Sequence, residues 1–563
     1  MKKQLVECVP NFSEGRDKSI IKTITDAIES VEGVELLNVD PGEATNRTVV
    51  TFVGEPEPVA EAAFRAVGKA AELIDMSKHH GAHPRMGATD VLPLIPVSGI
   101  TLEECAELAR KLGKRIADEL SIPVYAYEAS ALRPARKNLA VCRAGEYEGL
   151  ADRLGHDDGA DFGDRAFDDK IARSGATACG ARDFLIAVNF NLNTTSTRRA
   201  NAIAFDVREK GRPKREGGKP NGKPLTDENG KTIMIPGTLK GTKAIGWFID
   251  EYGVAQVSMN ITDMAQTPLH VAFDEVTRAA AARGIRVTGT EIVGMVPKRA
   301  LIDAGKYFLH KQQRSSGISE QEIIKIAIKS MGLDELAPFR PEEKIIEEMI
   351  APKEGKTLTG MTLREFADKT ASESPAPGGG SISAYMGALA AALGTMVANL
   401  SAHKSGWDDR WEEFSDYAEQ GQAVLTELTL LVNEDTAAFN MIMEALGLPK
   451  HTDKEKEARA EALEKATLYA AEVPLRTMRA AMKTFPLLRA MAEKGNPASV
   501  SDAGVGALAA RAAVKGAGLN VRIKASGLAN KGIAAELVKA ARELAAEADA
   551  QEADIIKIVE EKI

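Results

Sequence analysis

Pro377-Gly378-Gly379-Gly380-Ser381-Ile382-Ser383-Ala384-Tyr385-Met386-Gly387-Ala388-Leu389-Ala390-Ala391 is where this chain changes character. Three glycines lead into an alanine-rich run, and Ala384, Gly387, Ala388 and Ala391 are small enough to let neighbouring helices approach closely. From Met361 onward strand signals vanish and a period of about 3.6 residues runs through 381–402, 410–446, 454–482 and 534–560. That pattern predicts an all-α domain of packed helices over residues 355–563.

Upstream the pattern is different. Leu5–Val9, Val34–Val39, Thr48–Val53, Val91–Pro96, Val124–Tyr127, Phe184–Asn189 and Ala255–Asn260 read as strands, with helices at Ser19–Ile28 and Pro58–Ile74 between them. Strands alternating with helices predict an α+β region made of two related halves, 1–178 and 179–332, splitting near Gly175–Gly180. Two prolines within Leu333–Pro341 mark 333–354 as the linker.

A chain of 563 residues is too long for one core. Its 44% hydrophobic and 27% charged residues are ordinary for a globular protein. No run of about 18 apolar residues stands out, so no membrane span is expected, and the first residues lack the apolar core of a signal peptide. The four cysteines, Cys8, Cys105, Cys142 and Cys179, lie far apart with no zinc-ligand spacing, as expected of reduced thiols in a cytoplasmic protein without a metal. A net charge of −9 argues against nucleic acid as a partner and requires local cations to capture any anionic substrate.

The densest polar cluster is Lys78-His79-His80-Gly81-Ala82-His83-Pro84-Arg85-Met86-Gly87. His79 and His83 are four apart, the spacing of a helical metal pair, but Gly81 and Pro84 argue against a helix there. A histidine-rich loop beside an arginine suits acid–base work near neutrality; a solvated turn is the alternative. The triple glycine before a long helix offers backbone N–H groups at the positive end of a dipole, a seat for an anionic or carbonyl group. Gly504-Val505-Gly506-Ala507-Leu508-Ala509 matches the dinucleotide pattern, but no apolar strand precedes it, so a chance match is expected. Residues 211–241 are rich in Lys, Gly, Pro and Asn and read as a surface loop.

Several motifs in order carry a family resemblance. Val6-Glu7-Cys8-Val9-Pro10-Asn11-Phe12-Ser13-Glu14-Gly15, Asp40 with Asn46-Arg47-Thr48-Val49, His83-Pro84-Arg85-Met86-Gly87, Arg143-Ala144-Gly145-Glu146, Asp161-Phe162-Gly163 and Gly175-Ala176-Thr177 resemble the formiminotransferase domain over about residues 3–340. The Ala-Pro-Gly-Gly-Gly-Ser run, Asp435-Thr436-Ala437-Ala438-Phe439, Leu448-Pro449-Lys450 and Gly495-Asn496 resemble the cyclodeaminase/cyclohydrolase domain over about 355–550. The resemblance implies two ferredoxin-like βα subdomains followed by the helical domain. It implies transfer of a formimino group from N-formimino-L-glutamate to N5 of tetrahydrofolate, a co-substrate expected to be polyglutamylated. Closure to 5,10-methenyltetrahydrofolate with release of ammonia would follow.

The resemblance assigns catalysis to His83 in the first domain and Asp435 in the second. Asp40, with Glu7 behind it, is the candidate carboxylate for a cationic tetrahedral intermediate. Substrate contacts are expected from Asn11, Asn46, Arg47 and Arg85, from Gly163, Asp164, Arg165, Arg173 and Gly175, and from Gly378, Gly379, Gly380 and Ser381. The 163–175 segment departs from the vertebrate pattern, carrying Asp169, Lys170 and Arg173, with Ser174 where an aromatic residue precedes Gly-Ala-Thr. Residues 211–241 look like an insertion; Arg212, Lys214, Arg215, Lys219 and Lys223 there either hold a polyglutamate tail or form a solvated face, the commoner outcome. Vertebrate members are ring-shaped oligomers, so a homo-oligomer is expected. Two alternatives stay open: a methenyltetrahydrofolate cyclohydrolase in the second half, and a scaffolding protein with vestigial sites.

Overall fold

The computed structural model describes residues 4–43, 46–80, 85–219, 222–250, 252–350, 357–374 and 376–563. The chain divides into two units, one of residues 1–303 with 331–351 and one of residues 304–330 with 352–563.

The first unit opens with a seven-stranded sheet: β1 (Leu5–Cys8), β2 (Asn11–Phe12), β3 (Val34–Gly42), β4 (Arg47–Gly54), β5 (Thr89–Ser98), β6 (Val124–Glu128) and β7 (Thr177–Ala181). β1 and β2 are two pieces of one line, each lying antiparallel between β4 and β5. Pro10 stands between them and has no N–H to donate, which interrupts the ladder. The helices α1 (Lys18–Glu29) and α2 (Pro56–Leu73) complete a βαββαβ unit whose strands run β3–β4–β1/β2–β5, the ferredoxin-like order. α1 forms because Asp17 caps it, accepting from Ser19 and Ile20 N–H, and because Ile21, Ile24, Thr25 and Ile28 fall on one buried face. A third helix, α3 (Leu102–Arg115), starts in a capping box between Thr101 and Glu104. β7 then pairs parallel with both β5 and β6.

The second subdomain repeats the plan. β8 (Ile186–Leu192), the short pair β9 (Arg212–Pro213) and β10 (Met234–Ile235), β11 (Thr242–Ile249), β12 (Val254–Ile261) and β13 (Val287–Val293) are joined by α4 (Thr197–Val207) and α5 (Leu269–Ala281). Its sheet runs β11–β12–β8–β13, antiparallel throughout, which is again the ferredoxin-like order. A boundary at 178 would cut β7; the chain leaves the first sheet only after Ala181. The described part of 211–241 is a paired ribbon, with β9 on β10 and Lys214 N–H donating to Ile233 O at 2.8 Å. Arg212 there pairs with Asp206, and Arg215 donates to Gly222 O.

The described part of 333–354 is not a free linker. Val296 N–H donates to Lys344 O at 2.9 Å and Ile346 N–H to Val296 O at 3.2 Å, while Ile345 and Ile346 are buried. Two adjacent isoleucines give this segment apolar surface to bury against the first unit.

The helix α6 (Lys298–Lys311) spans the change from the first unit to the second, and α7 (Glu320–Met331) follows. The rest of the second unit is α8 (Gly379–Ala402), α9 (Trp411–Gly447), α10 (Asp453–Met482), α11 (Thr484–Lys494), α12 (Val500–Ser526) and α13 (Lys531–Glu560), with shorter helical turns before them. Ala384, Gly387, Ala388 and Ala391 of α8 are all buried, as close helix packing requires. By length and composition α8 is also long and apolar enough to span a bilayer, which corrects the expectation that no such stretch exists. Its most apolar window is 61% buried among the other helices, the signature of a core helix.

Gly504 and Gly506, the glycines of the dinucleotide-like pattern, lie inside α12. A Cβ on Gly506 would stand 2.4 Å from Leu488 Cδ2, so this glycine serves helix packing rather than phosphate binding.

Candidate functional sites

In the first unit a cavity of about 1190 Å³ opens on the face of the sheet that carries Val9, Asn11, Arg47, Val49, Val91 and Pro93. Arg143, Arg182 and Lys243 also wall it, the last from β11 of the second subdomain. Among the sequence-based candidates, Asn11 and Arg47 are therefore brought together here. Arg47 Nε donates to Asn11 Oδ1 at 2.9 Å. Behind them Asp90, 1% exposed, pairs with Arg47 at 3.4 Å and with Arg143, and accepts Met86 N–H at 3.1 Å. Burial, helped by Arg143 and opposed by Asp90, pushes the Arg47 guanidinium down to about 10, so it stays cationic at neutral pH. One buried carboxylate thus aims two guanidinium groups, a layout suited to holding carboxylate groups of a substrate.

His83 lies outside the described residues. Its neighbours are placed. His79 ends a short 3₁₀ turn in extended backbone, so the helical spacing of a metal pair does not form up to that point. His79 Nε2 lies 3.0 Å from Asn46 O, and Arg85 Nε donates to His79 Nδ1 at 3.3 Å. That fixes the tautomer with the proton on Nε2, and burial lowers its pKa, keeping the ring neutral. Asn46, in left-handed backbone, accepts Gly15 N–H and donates to His80 O. Arg85 is held bidentate by Glu148 at 2.7 and 2.9 Å. These residues are the described neighbours of His83 in sequence.

Two carboxylate candidates fare differently. Asp40 lies opposite Val49 on the edge strand β3, hence on the cavity face, but exposed and one strand beyond the lining. Glu7 is on the same face, further along β1. Val53, Ile95, Phe184 and Ile346 cluster over that end of the sheet, and Glu7 is buried outside the cavity lining. Burial pushes its carboxyl up to about 7, with Glu347 adding to the rise and Arg182 opposing it. Glu7, expected as the second carboxylate, is therefore not among the residues the cavity brings together.

The 163–175 segment is also outside the cavity lining. Asp164 accepts Gly155 and Ala160 N–H, Arg165 pairs with Asp168 at 2.6 Å, and Gly163 lies against Ala117. Arg173 borders a separate hollow of about 410 Å³ with Lys170 and Ser121. Gly175 crosses Gly87 so closely that a Cβ would stand 2.3 Å from Met86 O, with φ at +65°.

In the second unit the glycine run meets the aspartate. Gly378 is the N-cap of α8, and a Cβ on Gly380 would stand 2.3 Å from Asp435 Oδ1 on α9. Ser381 Oγ donates to Val432 O at 2.9 Å and lies 3.3 Å from Asp435 Oδ2. Lys524 Nζ, near the end of α12, pairs with Asp435 Oδ1 at 2.9 Å; the two side chains are 15% and 9% exposed. Asn520, one turn before Lys524, borders Gly379. Arg143 stands in a motif that carries the resemblance but was given no role, and Arg182, Lys243 and Lys524 had none either, because what distinguishes these residues is a cavity or partner assembled from distant elements. Among the described residues no group of three or more His, Cys, Asp or Glu could hold a metal ion.

Comparison with known proteins covers both units. Residues 5–182 match the formiminotransferase domain, N-terminal subdomain; 187–351 match the formiminotransferase domain; 362–543 match formiminotransferase-cyclodeaminase. The formimidoyltransferase-cyclodeaminase of Mus musculus is 42% identical over 523 residues, covering 92% of each chain. A glutamate formimidoyltransferase of Streptococcus pyogenes is 40% identical over 54% of this chain and 93% of its own. A methenyltetrahydrofolate cyclohydrolase of Methylorubrum extorquens is 39% identical over 36% of this chain and 97% of its own. With family matches across both units and relatives aligned over nearly its whole length, the chain belongs to the formiminotransferase-cyclodeaminase family.

Proposed function

We propose that this enzyme transfers the formimino group of N-formimino-L-glutamate to N5 of tetrahydrofolate in its first unit and closes the product to 5,10-methenyltetrahydrofolate in its second, releasing ammonia. The observation that carries the reading is the cavity whose cations, Arg47, Arg143, Arg182 and Lys243, come from both ferredoxin-like subdomains around a space large enough for a pterin beside a dicarboxylate. In the first reaction N5 bonds the formimino carbon and loses its proton while the departing glutamate nitrogen gains one. One imidazole, assigned to His83, serves both transfers in turn. Asp40, on the same sheet face but one strand beyond the lining, is the carboxylate assigned to offset the cationic intermediate. In the second reaction N10 bonds the carbon of the protonated formimino group and gives up its proton; that proton goes to the formimino nitrogen, which already carries two hydrogens and leaves as ammonia as its bond to carbon breaks. Asp435 carries that proton and then balances the methenyl cation.

A second reading gives the helical unit cyclohydrolase chemistry, which the Methylorubrum relative favours by its name. Ammonia release separates the two. A coupled assay with formiminoglutamate and tetrahydrofolate, following methenyl absorbance and ammonia, tests both. His83→Ala should remove most transfer, and Asp435→Asn should stop methenyl formation while transfer continues. Full activity in either variant would overturn that residue's role.

A polyglutamylated folate and a homo-oligomeric enzyme belong to the same proposal. Four buried free thiols support a reducing, cytoplasmic setting. Apolar residues left exposed on α8 and α12 support association of copies.

A further inference from the structure

The start of α8 is faced by two charged side chains, and only one of them has a part in the chemistry above. Lys524 reaches Asp435 from α12 at 2.9 Å, and both side chains are nearly withdrawn from water. The partners are built in from separate helices. Asp435 is walled by Gly380, whose missing Cβ leaves room for the carboxylate, and by Ser381. Lys524 stands one turn beyond Asn520, which itself borders Gly379. Glu434, next to Asp435 on α9, is engaged elsewhere, held by Arg476 at 2.6 and 2.9 Å and by Tyr469, both from α10. Lys524 is thus the counter-ion that Asp435 has from a neighbouring helix among the described residues.

A buried carboxylate costs stability unless a cation or several hydrogen-bond donors offset its charge. A protonated Asp435 could neither accept the N10 proton nor balance the methenyl cation. We propose that Lys524 is a positioning residue of the second reaction: it sets a positive charge against Asp435 and holds one carboxylate oxygen, leaving the other turned towards Ser381 and the helix start. This rests on the assignment of ring closure to the helical unit and of Asp435 to its chemistry. The remaining oxygen is the one available to the N10 proton.

The test uses the full chain supplied with formiminotetrahydrofolate, with ammonia and methenyl product read across about pH 5.5–8.5. Formimino transfer by the same protein serves as the folding and concentration control. Lys524→Met should lower the ring-closure kcat about 10- to 100-fold. It should also move the acid limb of the rate profile to higher pH by about one unit or more, because an unpaired buried carboxylate titrates higher. Lys524→Arg, which keeps a cation within reach, should recover most of the rate and return the limb to its parental position. If Lys524→Met fails to fold, Lys524→Gln, which keeps a hydrogen-bond donor without the charge, should show the same shift.

An acid limb that stays in place in the neutral variants overturns the proposal, whether or not the rate falls, since a merely structural lysine would leave the titration unmoved. Asp435→Asn, run in parallel, separates the two levels. If that variant still closes the ring, the assignment of Asp435 itself falls. If it is inactive while Lys524→Met is unshifted, only the role of Lys524 falls.

Discussion

Glu7 shows how the surroundings of one carboxyl decide what it does. Sequence motifs place it beside the candidate catalytic residues, yet the strand carries it under Ile346, where burial raises it to about 7. A carboxyl whose folded pKa exceeds its unfolded value near 4.5 gives full stability below that value and loses it as pH rises through about 7. Glu7→Gln removes the titration, so the variant should match the parent at about pH 5 and exceed it by about 2 kcal/mol at about pH 8. Calorimetry at the two pH values checks this; a gap that does not widen with pH would refute it. Asn11 and Arg47 were legible because they sit inside a distinctive motif. Arg143 sits in a motif too but drew no role, and neither did Arg182, Lys243 or Lys524, because what distinguishes them is the partner or cavity brought from another element.

The helices were legible where apolar residues recur at helical spacing, in α8 from small ones because no charged residue interrupts the run. The runs 381–402, 410–446, 454–482 and 534–560 lie within or overlap almost wholly with α8, α9, α10 and α13. α12 was not anticipated, because its buried face is made almost entirely of Ala, Gly and Val, including Ala503, Gly504, Gly506, Ala507, Ala510, Ala513, Val514, Ala517 and Gly518. Such residues barely separate one face from the other by hydropathy, and they serve close approach instead. Gly506→Ala tests that role. A gain of about 1 kcal/mol in helix propensity competes with a contact at 2.4 Å to Leu488, whose displacement costs about 1–3 kcal/mol. The expected net effect is a lower melting temperature, read by circular dichroism; a rise would mean that Leu488 moves aside freely. The two strand plans were legible as alternation, whereas the parallel docking of β7 was not, since pairing across about 50 residues leaves no trace in local pattern.

At the scale of the molecule, α12 leaves Val505, Leu508, Leu519 and Ile523 exposed, the last at 71%, and α8 leaves Leu389, Met396 and Leu400. On each helix these positions recur at helical spacing and form an unburied stripe. The proposed homo-oligomer covers such stripes, so Leu519→Lys with Ile523→Lys should lower the mass seen by sedimentation while formimino transfer continues. An unchanged mass would exclude α12 from the contact. The two-unit organisation was legible as a change of composition near Met361, but the path between the units was not. The chain passes from one unit to the other three times, after Asp303, after Ser330 and after Ala351. A single cut therefore does not follow the boundary between the compact units. A break at 303 strips the first half of the segment bearing Ile346, and a break at 351 leaves it carrying a helical excursion whose Ile323, Ile324 and Ala327 are buried in the whole chain. A chimera that exchanges whole compact units between relatives must therefore carry two separate stretches of sequence from each donor, whereas one that exchanges contiguous halves leaves residues 304–330 attached to the first.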